Sequence, residues 1–69
     1  MTQYLVIYEQ GPDSWGAYSP DLPGCIAAGS SREEVEQLMR ETVEAHIAFL
    51  RTEGLPVPEP SNFAGHVAA

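Results

Sequence analysis

One stretch of this chain is patterned for a long helix, and both of its ends are marked. From Val35 onward, Leu38, Met39, Thr42, Val43, His46, Ile47, Phe49 and Leu50 recur at intervals of three and four. That spacing draws one apolar stripe along an α-helix. Glu33, Glu36, Gln37, Arg40, Glu41 and Glu44 fill the opposite side. Ser31 and Glu34 have capping-box spacing, with the serine at the N-cap. The early glutamates suit the positive end of the helix dipole. Gly54 fits the position just past the last turn, and Pro56 stops continuation. The pattern predicts a helix over residues 32–53, about 33 Å long at 1.5 Å per residue. No other segment has a broad apolar stripe, so this helix must pack across whatever the rest builds.

The rest reads as short strands. Residues 3–9 are rich in Tyr, Leu, Val and Ile, which favour a pleated surface. Tyr4, Val6 and Tyr8 share one face, and Leu5 and Ile7 the other. Gln10, Gly11, Pro12, Asp13 and Ser14 supply turn chemistry, and residues 15–19 form the second arm of a hairpin. Pro20, Asp21, Leu22, Pro23 and Gly24 make a rigid corner: proline fixes φ and lacks an N–H, and glycine accepts a positive φ. Asp21 is expected to cap backbone N–H groups within that corner. A third strand is expected over residues 25–28, ended by Gly29. After the helix, prolines alternate at positions 56, 58 and 60, giving extended chain. Residues 61–69 are weakly strand-like, with Phe63 and Val67 as anchors, and either add a short strand or fray. The expected architecture is α+β in the order β-β-β-α-(β), with an antiparallel sheet carrying one long helix on one face.

Size and charge narrow the function. Sixty-nine residues make a single domain spanning residues 1–69. A chain this small buries only about 60% of its unfolded surface, and such domains are usually stapled by disulfides, a metal or a partner. Cys25 is the sole cysteine, so no internal disulfide forms. There is no CxxC and no paired-histidine spacing for zinc. Association is the remaining staple. Ten acids face three arginines and no lysine, for a net charge of −7. That field repels phosphate, which argues against direct nucleic-acid binding, and attracts a basic protein. The N-terminus lacks a signal-peptide pattern and no apolar run reaches membrane-spanning length, so a cytoplasmic protein with no membrane partner is expected.

Catalysis has little support in the residues. His46 falls within the helix stripe, where packing is the simpler role, and His66 lies in the tail. Cys25 has no base beside it in sequence to form a thiolate. Glu41 and Glu44 share a helix face, but His46 is turned about 200° from Glu44 at 100° per residue, so the three do not converge on a metal. No phosphate loop, dinucleotide fingerprint or nucleophile elbow occurs. The arginines are expected to form i,i+4 pairs such as Glu36 with Arg40. The reading is of a non-enzyme with no cofactor, no metal and no catalytic residue.

The combination of an apolar first strand, Trp15 through Cys25 with its PDLPGC corner, Ala28-Gly29-Ser30-Ser31 before Glu33-Glu34, and the Gly54 to Pro60 end resembles the HicB-like antitoxin family. The likeness covers about residues 3–60. It implies a domain similar to a reduced RNase H fold without that fold's catalytic acids. It also implies a partner, a HicA-like toxin, which is a small basic mRNA interferase that the antitoxin binds and neutralises. Family members tend to form dimers or tetramers through this domain. Many carry a C-terminal DNA-binding segment, for which no part of these residues accounts. On that resemblance the partner-binding candidates are Glu33, Glu36, Glu41 and Glu44 on the helix, with Trp15 and Tyr18 from the second strand. The plain alternatives are a solvated acidic face and core aromatics, or aromatics in a homo-oligomer interface. The competing function is a solitary homo-oligomeric structural or regulatory protein with no toxin. A small-molecule sensor or degenerate nuclease would need convergent polar groups, and none can be named from the residues.

Overall fold

The structure, a computed structural model, describes residues 2–69. Three strands come first: β1 (Ile7–Gln10), β2 (Trp15–Tyr18) and β3 (Ile26–Gly29). One helix follows, α1 (Arg32–Thr52). The sheet order is β1-β2-β3, with both pairs antiparallel. This is the expected α+β layering of three strands and one helix.

Register decides which side chains meet the helix. Tyr8 lies opposite Ala17, and Ala17 opposite Ala27. This row faces α1: Ala17 is buried in the core, and Tyr8 and Ala27 pack against it. The adjacent row, Ile7, Tyr18 and Ile26, therefore points away from α1. The face carrying Tyr4, Val6 and Tyr8 is the inner one, and Leu5 and Ile7 are on the outer one.

The core is small and depends on the corner. Its fully buried members are Leu22, Cys25, Val35 and Met39, joined by Ala17. Leu22 comes from no regular element. It is driven inward by a closed loop in which Leu22 N–H donates to Ser19 O, Cys25 N–H to Leu22 O, and Ser19 N–H to Cys25 O, at 3.1–3.2 Å. Gly24 has φ of 91°, a conformation that L side chains rarely adopt, and this lets the loop close.

The first strand is shorter than its sequence suggests. The ladder register puts Leu5 opposite Pro20, just past the last ladder pair, Ile7 with Tyr18. Proline has no N–H to donate, and the partner strand turns into the corner there. One bond survives beyond the ladder: Ser19 Oγ donates to Leu5 O at 2.9 Å. Residues 3–6 therefore continue without a paired neighbour. The third strand starts and ends one residue later than expected, with Gly29 inside it.

The helix cap also differs in one detail. Glu34 N–H donates to Ser31 Oγ at 3.2 Å, as a capping box requires. The Glu34 carboxylate, however, accepts from Ser30 N–H at 2.8 Å, one residue earlier than the motif specifies. Gly29 leaves room for it, since a Cβ there would run into that carboxylate. The expected Glu36–Arg40 pair does not form. Glu36 accepts from Arg32 Nε at 2.8 Å, and Arg40 Nη1 donates to the Gln37 side-chain oxygen Oε1 instead. Arg32 also lies over the Tyr8 ring, 5.1 Å from its centre. These contacts are exposed and worth a few tenths of a kcal/mol each, on the order of 0.2–0.5.

No strand follows α1 among the described residues. Alternate prolines at 56, 58 and 60 remove every second N–H donor, so this stretch cannot extend the sheet. The segment instead runs beside residues 2–5, and Tyr4 Oη donates to Pro58 O at 2.6 Å.

Burial raises the Cys25 thiol above its ordinary pKa. A thiol both buried and held protonated is a poor nucleophile. We expect Cys25 to react with an aromatic disulfide reagent far more slowly in the folded protein than in denaturant. Equal rates in the two states would show that the corner is open.

Candidate partner-binding site

Helix length sets up the site. Twenty-one residues of α1 extend about 31 Å, while a four-residue strand covers about 13 Å. The helix packs on β3 and β2, and its second half overhangs the sheet. Residues 2–8 and 57–59 run along that overhang and leave a groove against it. Two adjoining stretches have volumes of about 550 Å³ and 390 Å³, sharing Thr2, Tyr4, Val43 and Glu44. Val43 and Ile47 supply apolar lining from the helix, and Tyr4 and Val6 supply it from the N-terminal segment. Glu36, Glu44 and Glu59 border it, with Arg40 and Arg51.

The six candidate contact residues do not form one surface. Glu33, Glu41 and Glu44 are exposed on α1, and Glu36, half-buried, is engaged by Arg32. Glu41 accepts a long 3.4 Å bond from Gln37. Trp15 packs against the core from the inner face of the sheet. Tyr18 lies on the outer face, 39% exposed. The two aromatics are three residues apart on one strand, so they point in opposite directions. The structure thus provides an acidic helix side and, beyond the sheet, an apolar outer face.

Asp21 does something the sequence did not disclose. Rather than capping its own corner, its carboxylate accepts four hydrogen bonds from residues forty positions away. Ser61 Oγ (2.8 Å) and Asn62 Nδ2 (2.6 Å) donate to Oδ1, and the N–H groups of Ser61 and Asn62 donate to Oδ2 at 3.2 Å. This clasp fixes the path of the C-terminal arm, and with Tyr4 it positions one wall of the groove. The Asx-type motif is local by habit, and no sequence signal pairs Asp21 with Ser61 across the whole helix. Pro20 and Pro23 lie on either side of the aspartate in the corner.

The Ser61 side-chain bond contributes most to holding the Asp21 carboxyl below its ordinary value of 3.8. Desolvation opposes it, and the Asn62 side chain and the two backbone N–H groups add to it. A carboxyl with a depressed folded pKa stabilises its contacts above the ordinary value and loses them as pH falls through the lowered one. The arm should therefore stay docked at neutral pH and release below about pH 3.8. Asp21→Asn should release it at neutral pH. Amide hydrogen exchange at Ser61 and Asn62 checks this: unchanged protection in the variant would contradict it.

A family model of the HicB-like antitoxin of bacterial toxin–antitoxin systems matches residues 4–69. The chain belongs to the HicB-like antitoxin family. The matched span includes the corner, the helix and the arm. No curated protein and no solved structure matches the chain. Membership in this family points to a toxin partner and to a non-enzymatic role. Among the described residues, no three His, Cys, Asp or Glu side chains converge as metal ligands. No helix there is long and apolar enough to cross a membrane.

Proposed function

We propose that this chain is a non-enzymatic antitoxin module that binds a HicA-like mRNA interferase and neutralises it. The observation that carries this is the family match over residues 4–69. The charge distribution supports it. α1 holds five of the ten acids together with all three arginines, and so −2 of the net −7, and an RNA-cleaving toxin must itself be basic to hold RNA. Complementary charge speeds encounter and fixes orientation. The toxin is proposed to approach the helix side, meeting Glu33, Glu36, Glu41 and Glu44 beside the apolar groove. Binding there would occlude the toxin's RNA-contacting surface with carboxylates.

The same reading takes the sheet and helix as a reduced RNase H-like layer without catalytic acids, working in the cytoplasm. It also includes self-association as a dimer or tetramer, because the two-layer domain leaves one sheet face uncovered. The experiment is co-expression with a HicA-like toxin in a bacterial host. Restored growth together with co-purification of the two chains is the expected result. Growth arrest with no complex, from a toxin shown to be active, would overturn the proposal.

A further inference from the structure

The C-terminal arm is held to the body without entering its core. The buried core members, Ala17, Leu22, Cys25, Val35 and Met39, all come from other parts of the chain. Beyond Leu55, the arm is attached at two polar points among the described residues. Pro58 O accepts from Tyr4 Oη, and the Asp21 carboxylate accepts from Ser61 and Asn62. Ser61 and Asn62 are themselves exposed. No ladder ties this segment to the sheet, because its alternate prolines lack donors. A segment with few buried contacts and exposed hydrogen bonds opens well before the whole fold does. The same prolines keep the free arm extended, so little freedom is lost when it returns. The arm is thus built to detach and redock while the core stays folded.

Its effect when docked follows from where it lies. Val57, Pro58 and Glu59 line the larger stretch of the groove together with Val43, Ile47 and Arg51 of α1. About 550 Å³ stays open beside them, so the arm is a wall and not a plug. The charge of the groove depends on it as well. Glu36 and Glu44 of α1 are balanced there by Arg40 and Arg51. Glu59 is the third carboxylate, and it takes the lining to −1. Undocking therefore removes an apolar wall and the surplus negative charge in one movement.

We infer that the arm is a latch, caught at Asp21, that switches the groove between a docked form receptive to a basic protein and an undocked form that is not. This rests on the proposed function, in which a basic toxin meets the helix side beside this groove. Linkage fixes the reciprocal effect: docking raises toxin affinity by some factor, and bound toxin stabilises docking by the same factor. An arm that instead filled the toxin's site would give the opposite sign.

Two measurements on the full chain test this. The first needs no toxin. It is methyl NMR of Val43 and Ile47, which line the groove, with buried Val35 as the core reference. Asp21→Asn should shift the Val43 and Ile47 signals and leave Val35 in place. Ser61→Ala combined with Asn62→Ala leaves the corner untouched and should shift the same two signals, even if the Asp21 variant fails to fold. The second is binding of a HicA-like toxin. The clasp variants should bind about tenfold more weakly than the wild type. Toxin bound to the wild type should slow amide exchange at Ser61 and Asn62 by about the same tenfold. Glu59→Gln should keep those amides protected yet slow association by about two- to threefold. Unmoved methyl signals in both clasp variants would overturn the inference. So would toxin binding that is equal or tighter in those variants. A wild type that binds no toxin would overturn the antitoxin reading instead, and the methyl spectra would still decide whether the latch shapes the groove.

Discussion

Leu22→Ala should leave the chain largely unfolded at room temperature. Leu22 is fully buried and packs among Cys25, Val35, Met39 and Ala17. Truncating a buried leucine costs about 2–5 kcal/mol, from lost transfer energy and the cavity left behind. A 69-residue domain has a total stability of about 3–10 kcal/mol at 0.05–0.15 kcal/mol per residue. The loss is thus comparable with everything the fold has. The cavity would also be hard to fill, because Leu22 sits on a loop closed by three backbone hydrogen bonds. Urea unfolding followed by Trp15 fluorescence reads the effect, since Trp15 packs against this core. Val67→Ala is the control: at 95% exposure it should change stability by no more than about 0.5 kcal/mol. A Leu22→Ala midpoint equal to that of the control would mean that the corner does not anchor the core.

Removing the four helix carboxylates should have the second large effect, on binding and not on folding. Glu33, Glu36, Glu41 and Glu44 changed together to glutamine would take the net charge from −7 to −3. Their local bonds are exposed, and the strongest, between Glu36 and Arg32, contributes on the order of 0.2–0.5 kcal/mol. Glu34, which completes the helix cap, is left in place. The melting temperature should therefore move little. Association with a basic toxin should slow by a factor of about 10 or more at low salt, since steering by summed charge is worth roughly 10–10³ in on-rate. The slope of the rate against ionic strength should flatten as well. Stopped-flow mixing with a HicA-like toxin at several salt concentrations checks both. An unchanged on-rate would place the toxin on another surface.

Much of this architecture could be read from the residues. The helix was legible because periodicity, capping box and C-terminal glycine all agree over residues 31–54. The hairpin was legible because turn residues separate two β-favouring runs. Strand length was not, because Leu5 has strand chemistry and only the register reveals that it faces Pro20. The Asp21 clasp was hidden for a different reason. Its donors, Ser61 and Asn62, stand forty positions away and carry no local signature, so only the return path of the chain brings them together. The acidic helix side was visible as a pattern, and the structure adds that it lies on the layer opposite the apolar sheet face. Trp15 and Tyr18 were grouped as one candidate pair, although strand alternation at an odd separation sends them to opposite faces. That alternation was available from sequence once both residues were assigned to one strand.

The antitoxin reading is tested most directly by toxin activity in a purified system. A HicA-like interferase is incubated with RNA, and this chain is added in increasing amounts while cleavage is followed. The account predicts that cleavage falls in proportion to added chain and stops near stoichiometric equivalence. It also predicts that, relative to toxin alone at the same salt, more chain is needed for inhibition as salt rises. Cleavage that continues undiminished in the presence of excess folded chain would contradict the account.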